Sequence, residues 1–298
     1  MRVIPTANLT EPGSSKRVLV GLLGRGISAS RTPRMHMAEG RALGLDYDYR
    51  LIDLAESEAE PPMEVLLNEL ESAGYRGVNV TYPYKQSVIP YLTDMSVNAR
   101  AIGAVNTIVF RDGARSGHNT DYWGFGESFR RGLPGVKRDA ALLVGAGGAG
   151  GAVSAALLSE GIGRLMIHDT TRAKAVSLVQ SLNQRFGAGR AEVCSDPMIA
   201  AARADGIVNA SPVGMQKMPG LPVPESAIEA RHWVADVVYF PLETELLAVA
   251  RAKGCRVLPG SGMALFQAVR AFELFTGLPA DPSRMQATFD SFDAEVTN

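Results

Sequence analysis

A chain of 298 residues, 46% of them hydrophobic, can bury one large core or two ordinary ones, and two is the expected number. A formal net charge of -1 with no run of Lys or Arg excludes electrostatic capture of nucleic acid or of an anionic membrane as the basis of function. The two cysteines, Cys194 and Cys255, lie 61 positions apart and the four histidines are scattered, so no metal site or disulfide framework is expected, the usage of a reduced cytoplasmic protein.

Residues 1–16 contain Pro5 and Pro12 and no apolar run of signal-peptide length, and are expected to form a flexible tail. No later stretch reaches the apolar length of a membrane span. From residue 17 strand and helix patterns alternate, the mark of parallel sheets with crossover helices. "RVLVGLLG" (17–24) reads as a buried strand. Thr32 and Pro33 then stand as N-cap and first helical residue. "DYDYRLIDL" alternates as a strand does, and Pro61 and Pro62 open a helix that Gly74 ends.

"GVNVTYPYKQ" (77–86) is a strand that runs into a turn and stops at Lys85, a residue usually found solvated on the surface. A short helix, a strand from Ala104 to Phe110 and a turn at Asp112 and Gly113 follow. A helix is expected after Asp121, and Gly132, Pro134 and Gly135 break the chain as a domain boundary would. From Asp139 the strand–helix pattern restarts. The last two helices, near 263–276 and 282–293, carry Phe266, Val269 and Phe272 at helical spacing and are expected to pack back on the first domain.

"LLVGAGGAGGAVSAALL" places Gly145, Gly147 and Gly150 in G-x-G-x-x-G spacing between a strand and a helix, the context a dinucleotide site requires. Ala146, Gly148 and Ala149 complete the loop, whose amides and helix N-terminus suit a pyrophosphate. Asp169 ends the next strand nineteen positions after Gly150, where a carboxylate accepts hydrogen bonds from the adenosine ribose and repels a 2'-phosphate. NAD is therefore expected over NADP. The competing arrangement has Arg172 holding a 2'-phosphate while Asp169 caps the following helix.

These residues resemble the shikimate dehydrogenase family over nearly the whole chain after residue 16. The resemblance rests on Asn79, Thr81, Pro83 and Lys85 in an Asn-x-Thr-x-Pro-x-Lys motif, on "GAVNT" with Asn106, and on "HNTD" with Asp121. It rests too on "NASPVGM" (209–215), on "DVVYFPLETELL" (236–247) and on "GMALFQA" with Gln267. "GRGISASRTP" departs from the common family pattern at Arg25, Gly26, Ala29 and Thr32, and is similar to the quinate/shikimate branch, as is the acidic residue at 169.

The resemblance implies an α/β chain of two domains. Residues 17–121 with 262–298 would form a substrate-binding domain with a mostly parallel sheet, and residues 122–261 a Rossmann domain for NAD(P). It implies an NAD-dependent oxidoreductase acting on quinate and shikimate, cytoplasmic, monomeric or homodimeric. Lys85 and Asp121 would be catalytic. Ser30 and Thr32 would hold the substrate carboxylate, Thr81, Asn106 and Gln267 its ring hydroxyls, and Tyr239 would contact substrate or merely pack. Asn209, Ser211, Val238 and Gly260 would lie toward the nicotinamide. An unperturbed lysine, neutral in under ~0.1% of molecules at pH 7, would be a poor base, whereas its ammonium suits proton donation in the reverse direction. Three further readings stay open: an NADP-dependent shikimate dehydrogenase, a relative acting on an amino analogue of the ring, and an idle nucleotide-binding regulator. None of His36, His118, His168 and His232 lies in a motif that needs an imidazole, and Trp123 is expected to anchor the helix after Asp121.

Overall fold

Two six-stranded sheets organise the chain in a computed structural model that describes residues 17–55 and 60–296; the tail expected at 1–16 lies outside them. The first sheet contains β1 (Val18–Gly24), β2 (Tyr47–Asp53), β3 (Tyr75–Val80), β4 (Asp94–Met95), β5 (Thr107–Arg111) and β6 (Ala114–His118) in the order β2-β1-β3-β5-β6-β4. β1 runs parallel to β2 and β3, and β4 to β6, while β3/β5 and β5/β6 are antiparallel. Helices α1 (Thr32–Ala42) and α2 (Met63–Ser72) make the parallel crossovers, and the short α3 (Val97–Ile102) precedes β5.

Three local expectations are corrected. Arg31 already has helical backbone angles and is the N-cap of α1, with no side-chain cap, so Thr32 is the first helical residue and Pro33 the second. The strand expected from Ala104 begins at Thr107, and the turn at Asp112 and Gly113, both at positive φ, folds it back on β6. The return strand "ARSGH" lacks apolar alternation, so nothing in its pattern announces it. Helix α4 (Thr120–Gly132) starts before Asp121, because the Asn119 side chain accepts a hydrogen bond from the Tyr122 amide and caps it one residue earlier.

The second sheet is parallel throughout: β7 (Ala140–Val144), β8 (Arg164–His168), β9 (Ala191–Val193), β10 (Gly206–Asn209), β11 (Trp233–Asp236) and β12 (Arg256–Leu258), ordered β12-β11-β10-β7-β8-β9. The order reverses between β7 and β10, the switch point at which doubly wound sheets bind nucleotides. α5 (Gly148–Ser159), α6 (Arg172–Phe186), α7 (Pro197–Ala202) and α8 (Glu245–Ala252) belong to this half.

The last helices, α9 (Gly260–Thr276) and α10 (Pro282–Val296), return to the first sheet. Ala271, Phe272 and Phe275 pack with Val20, Leu22, Tyr47 and Val109, and Phe266 and Val269 pack with Met35, Met285 and Phe289. Helix α4 lies between the halves: its Phe125 and Phe129, with Leu133 at its C-cap, enter the core of the second sheet, while Gly124 meets α9. A Cβ on Gly124 would come within 2.7 Å of the Gln267 amide nitrogen, so only glycine permits this approach. Trp123 lies edge-on to Phe266 with 6.2 Å between ring centroids, a contact that holds α4 against α9.

His36 sits wholly inside the first core, its Nδ1 2.9 Å from the Tyr47 hydroxyl and its ring edge-on to Tyr49 and Phe272. Burial holds its pKa down at about 3, from an ordinary 6.5. Because the unfolded chain takes up a proton that the folded chain refuses, this contribution to stability is complete above the unfolded pKa and is lost as pH falls from 6.5 toward 3. Urea unfolding between pH 7 and pH 5 is expected to show stability falling with acid more steeply, by up to about 1.4 kcal/mol per pH unit, in the parent protein than in His36→Leu. Parallel slopes would remove His36 as the cause.

Candidate active site

The carboxyl ends of both sheets open onto one cavity of ≈ 690 Å³. On the first sheet, Gly24 leads into a loop that Asp53, the last residue of β2, holds from beside. Its two carboxylate oxygens accept hydrogen bonds from the Gly26 amide at 2.8 Å and the Ile27 amide at 2.9 Å. Those bonds, with one from the Ala55 amide, keep the Asp53 carboxyl below the usual range. The loop carries Ser30 and Thr32 to the cavity wall, with the Ser30 Oγ accepting from the Thr32 amide at 3.4 Å.

At the end of β3 the chain turns through Thr81 and Tyr84, the Tyr84 amide donating to the Thr81 carbonyl at 2.9 Å. Tyr84 is buried, and the Lys85 carbonyl accepts from the Val105 amide at 2.8 Å, so the backbone on both sides of the lysine is fixed. Its Nζ donates to Asp121 Oδ2 at 2.6 Å, with only 24% and 11% of the two side chains exposed. Asp121 lies in the first turn of α4, where the positive end of the helix dipole favours a carboxylate.

Behind the pair runs a buried amide and hydroxyl network. Asn79 accepts from the Tyr49 hydroxyl at 2.8 Å and donates to Thr107 Oγ1 at 2.9 Å. Asn106 Oδ1 accepts from the Thr120 amide at 2.7 Å, and its Nδ2 donates to Thr120 Oγ1 at 3.0 Å. Thr120 Oγ1 in turn lies 3.5 Å from Gln267 Oε1. Because these groups satisfy one another, the Asn106 and Gln267 side chains at the cavity are held in fixed orientations.

On the second sheet, Gly145 has φ +103°, and a Cβ there would meet the Ala210 backbone at 2.7 Å. A Cβ on Gly150 would meet the Gly145 carbonyl oxygen at 2.1 Å, whereas one on Gly147 or Gly148 would meet nothing within 4 Å. The first pair of glycines thus closes the turn and the second pair leaves open space. No side chain caps α5, so its leading amides are free for an anion. This arrangement fits the pyrophosphate of a dinucleotide.

Asp169 has a second attachment, since Oδ2 accepts from the Ala146 amide and Oδ1 from the Thr171 amide, both at 2.7 Å. The carboxylate therefore holds the glycine loop to the end of β8, with lone pairs remaining on both oxygens. Arg172 opens α6 in an exposed position, and no hydrogen bond or ion pair joins its side chain to another described residue.

The cavity brings together Lys85, Asp121, Ser30, Thr32, Thr81, Asn106, Gln267 and Tyr239, and on the other wall Gly147, Gly148, Ala149, Ser211 and Val238. Gly145, Ala146, Gly150, Asp169 and Arg172 lie beyond its lining, along the glycine loop and the end of β8. Asn209 and Gly260 stand behind the wall: Asn209 is fully buried, and a Cβ on Gly260 would meet the Val238 carbonyl at 2.5 Å. Desolvation and the nearby Asp121 carboxylate push the Tyr239 phenol up, against Lys85 and Arg31, only weakly because 41% of the residue stays exposed.

Asp53, Thr120 and Asp236 hold the walls and had no expected role: Thr120 lies in "HNTD" and Asp236 opens "DVVYFPLETELL", whereas Asp53 carries no motif signal beyond closing a strand. Arg31 also lines the cavity, its guanidinium 4.8 Å from the Phe289 ring centroid. Among the described residues no group of three or more His, Cys, Asp or Glu is arranged to hold a metal ion, and no helix is long and apolar enough to cross a membrane.

Residues 22–108 match the family model for the shikimate dehydrogenase substrate binding domain, and residues 260–288 match that for the shikimate 5'-dehydrogenase C-terminal domain. A shikimate dehydrogenase (NADP(+)) of Streptomyces avermitilis is 47% identical over 272 residues, 90% of this chain and 94% of that one. A quinate/shikimate dehydrogenase (NAD(+)) of Corynebacterium efficiens is 46% identical over 276 residues, 91% of this chain and 97% of that one. The structure of quinate dehydrogenase from Corynebacterium glutamicum in complex with NAD superposes with a TM-score of 0.87 at 44% identity, covering 92% of this chain and 99% of that one. With curated relatives this similar along most of its length, the chain belongs to the shikimate dehydrogenase family.

Proposed function

We propose that this chain is a quinate/shikimate dehydrogenase that moves a hydride reversibly between a ring hydroxyl and NAD, giving 3-dehydroquinate or 3-dehydroshikimate. The observation that carries the reading is the Lys85–Asp121 pair, 2.6 Å apart in the cavity that the glycine loop also lines. Residues 17–121 and 262–298 form the substrate half and 122–261 the nucleotide half. What supports this division is the return of α9 and α10 to the first sheet and the entry of Phe125 and Phe129 into the second core. The protein works in the cytoplasm as a monomer or homodimer.

Bound NAD supplies the hydride acceptor. The residues of the chain must hold the ring and manage the hydroxyl proton. Ser30 and Thr32 hold the substrate carboxylate on the loop that Asp53 fixes. Thr81, Asn106 and Gln267 take the ring hydroxyls from the pre-ordered network, and Tyr239 closes the wall. Lys85 and Asp121 lie where the reacting hydroxyl is held: the ammonium polarises its oxygen and donates the proton in the reducing direction, and the dyad receives it in the oxidising one.

Relatives named for NADP stand at the same level of identity as those named for NAD, so a second reading is an NADP-dependent shikimate dehydrogenase. Asp169 favours NAD, because a 2'-phosphate about 4 Å from its carboxylate is repelled by roughly 1 to 4 kcal/mol.

Lys85→Met is expected to lower kcat by about 10²-fold or more while the protein stays folded and still binds NADH. Turnover near that of the parent would remove Lys85 from the chemistry. Asp169→Ala is expected to narrow the ratio of kcat/KM for NAD over NADP. It also frees the Ala146 amide, so some loss with both cofactors accompanies the narrowing. An unchanged ratio would show that the carboxylate does not read the ribose.

A further inference from the structure

Asp236 is a carboxylate only 2% exposed at the end of β11, directly opposite Asn209 at the end of β10. Its Oδ1 accepts from the Val238 amide and from Asn209 Nδ2, both at 2.9 Å, and its Oδ2 accepts from Thr244 Oγ1 at 2.7 Å. Asn209 extends the connection, its Oδ1 accepting from the Ser211 hydroxyl at 2.6 Å and amide at 3.1 Å, and its Nδ2 donating to the Val213 carbonyl at 2.8 Å. Two loops, one after β10 and one after β11, thus hang from a single buried acid. Both form cavity wall: Ala210, Ser211 and Met215 from the first, Val238, Tyr239 and Phe240 from the second.

Burying a carboxylate is costly, and a well-packed apolar residue at such a point usually serves stability as well or better. Burial pushes the Asp236 carboxyl up to about 6, against the hydrogen bonds from the two loops that favour the ion. What the ion gains is directional: three donors on separate pieces of chain converge on it from fixed angles. We infer that Asp236 is a positioning residue for the nicotinamide end of the cofactor, setting the separation and orientation of the two loop walls without touching the cofactor. The inference rests on the nucleotide-binding reading above. The adenosine and pyrophosphate end lies outside its reach, because that end is organised by Asp169 and the glycine loop.

Binding to the full chain tests this directly, with NADH fluorescence for the whole cofactor and calorimetry for ADP-ribose, which lacks only the nicotinamide. Asp236→Ala is expected to raise the Kd for NADH at least about tenfold and to leave the Kd for ADP-ribose within about twofold. Asp236→Asn, which keeps Oδ1 and turns an amide toward a Thr244 hydroxyl able to accept, is expected to restore NADH binding to within about threefold of the parent. Thr244→Val keeps the acid and removes one anchor, so it covers the case in which the alanine variant does not fold; about a threefold weakening for NADH alone is expected. NADH and ADP-ribose weakened alike, or NADH binding unchanged in the folded variants, would overturn the assignment. A parent protein that bound neither NADH nor NADPH would overturn the nucleotide-binding reading, and this inference with it.

Discussion

The hydrogen bond from Lys85 Nζ to Asp121 Oδ2, 2.6 Å long and largely shielded from solvent, is the interaction on which the arrangement of the cavity depends. Asp121 sits in the first turn of α4 and Lys85 in the turn that follows β3, and each is fixed from behind. The turn after β3 is tied to Val105, and α4 is started by the Asn119 cap and drawn against α9 at Gly124. Removing either charge would leave the other partly buried without its counter-ion, so the two constrain each other's position as much as they serve chemistry. A pair assembled from two elements that far apart in sequence exists only when the first sheet, α4 and α9 are all in place.

The second constraint is that both sheets present their carboxyl ends to the same space. At the switch point of a doubly wound parallel sheet the connections diverge and leave a crevice at the carboxyl end, and helix N-termini with unsatisfied amides gather there. One sheet therefore contributes hydroxyl, amide and ammonium groups, and the other contributes a glycine loop with room for phosphates. Helix α4 links them, with Asp121 at its first turn and Phe125 and Phe129 in the other core. Acids and amides, the part-exposed Asp53 with the buried Asn79 on one side and the part-exposed Asp169 with the buried Asp236 on the other, then fix the strand ends and loops that carry the cavity wall.

Much of this is legible in the sequence. The strand in "RVLVGLLG" and the strand and helix on either side of the glycine loop formed as read, while β9 and α7 went unread between the expected units after Asp139. Lys85 and Asp121 stood out through the family resemblance, since a lysine after a strand is ordinarily a solvated charge. What stayed hidden was set by tertiary contact. "ARSGH" becomes a strand because β5 offers an edge, not because its own pattern asks for one. Thr32 lost its expected capping role because Arg31 already adopts helical angles. Asp236 and Asp53 are strand-terminal carboxylates whose partners are backbone amides and polar side chains of neighbouring loops, and sequence spacing carries no sign of such bonds. Asp169 combined both cases: its place after the strand pointed to a ribose, while its bond to the Ala146 amide appears only in three dimensions.

If the cleft oxidises a ring alcohol with NAD, a matrix of initial rates will show it. Quinate and shikimate would each be offered with NAD and with NADP at equal concentrations, and NADH or NADPH formation followed. Turnover of both ring acids with NAD is expected, with a kcat/KM for NAD above that for NADP in each case. Rates confined to shikimate with NADP, or no turnover with any combination, would contradict it.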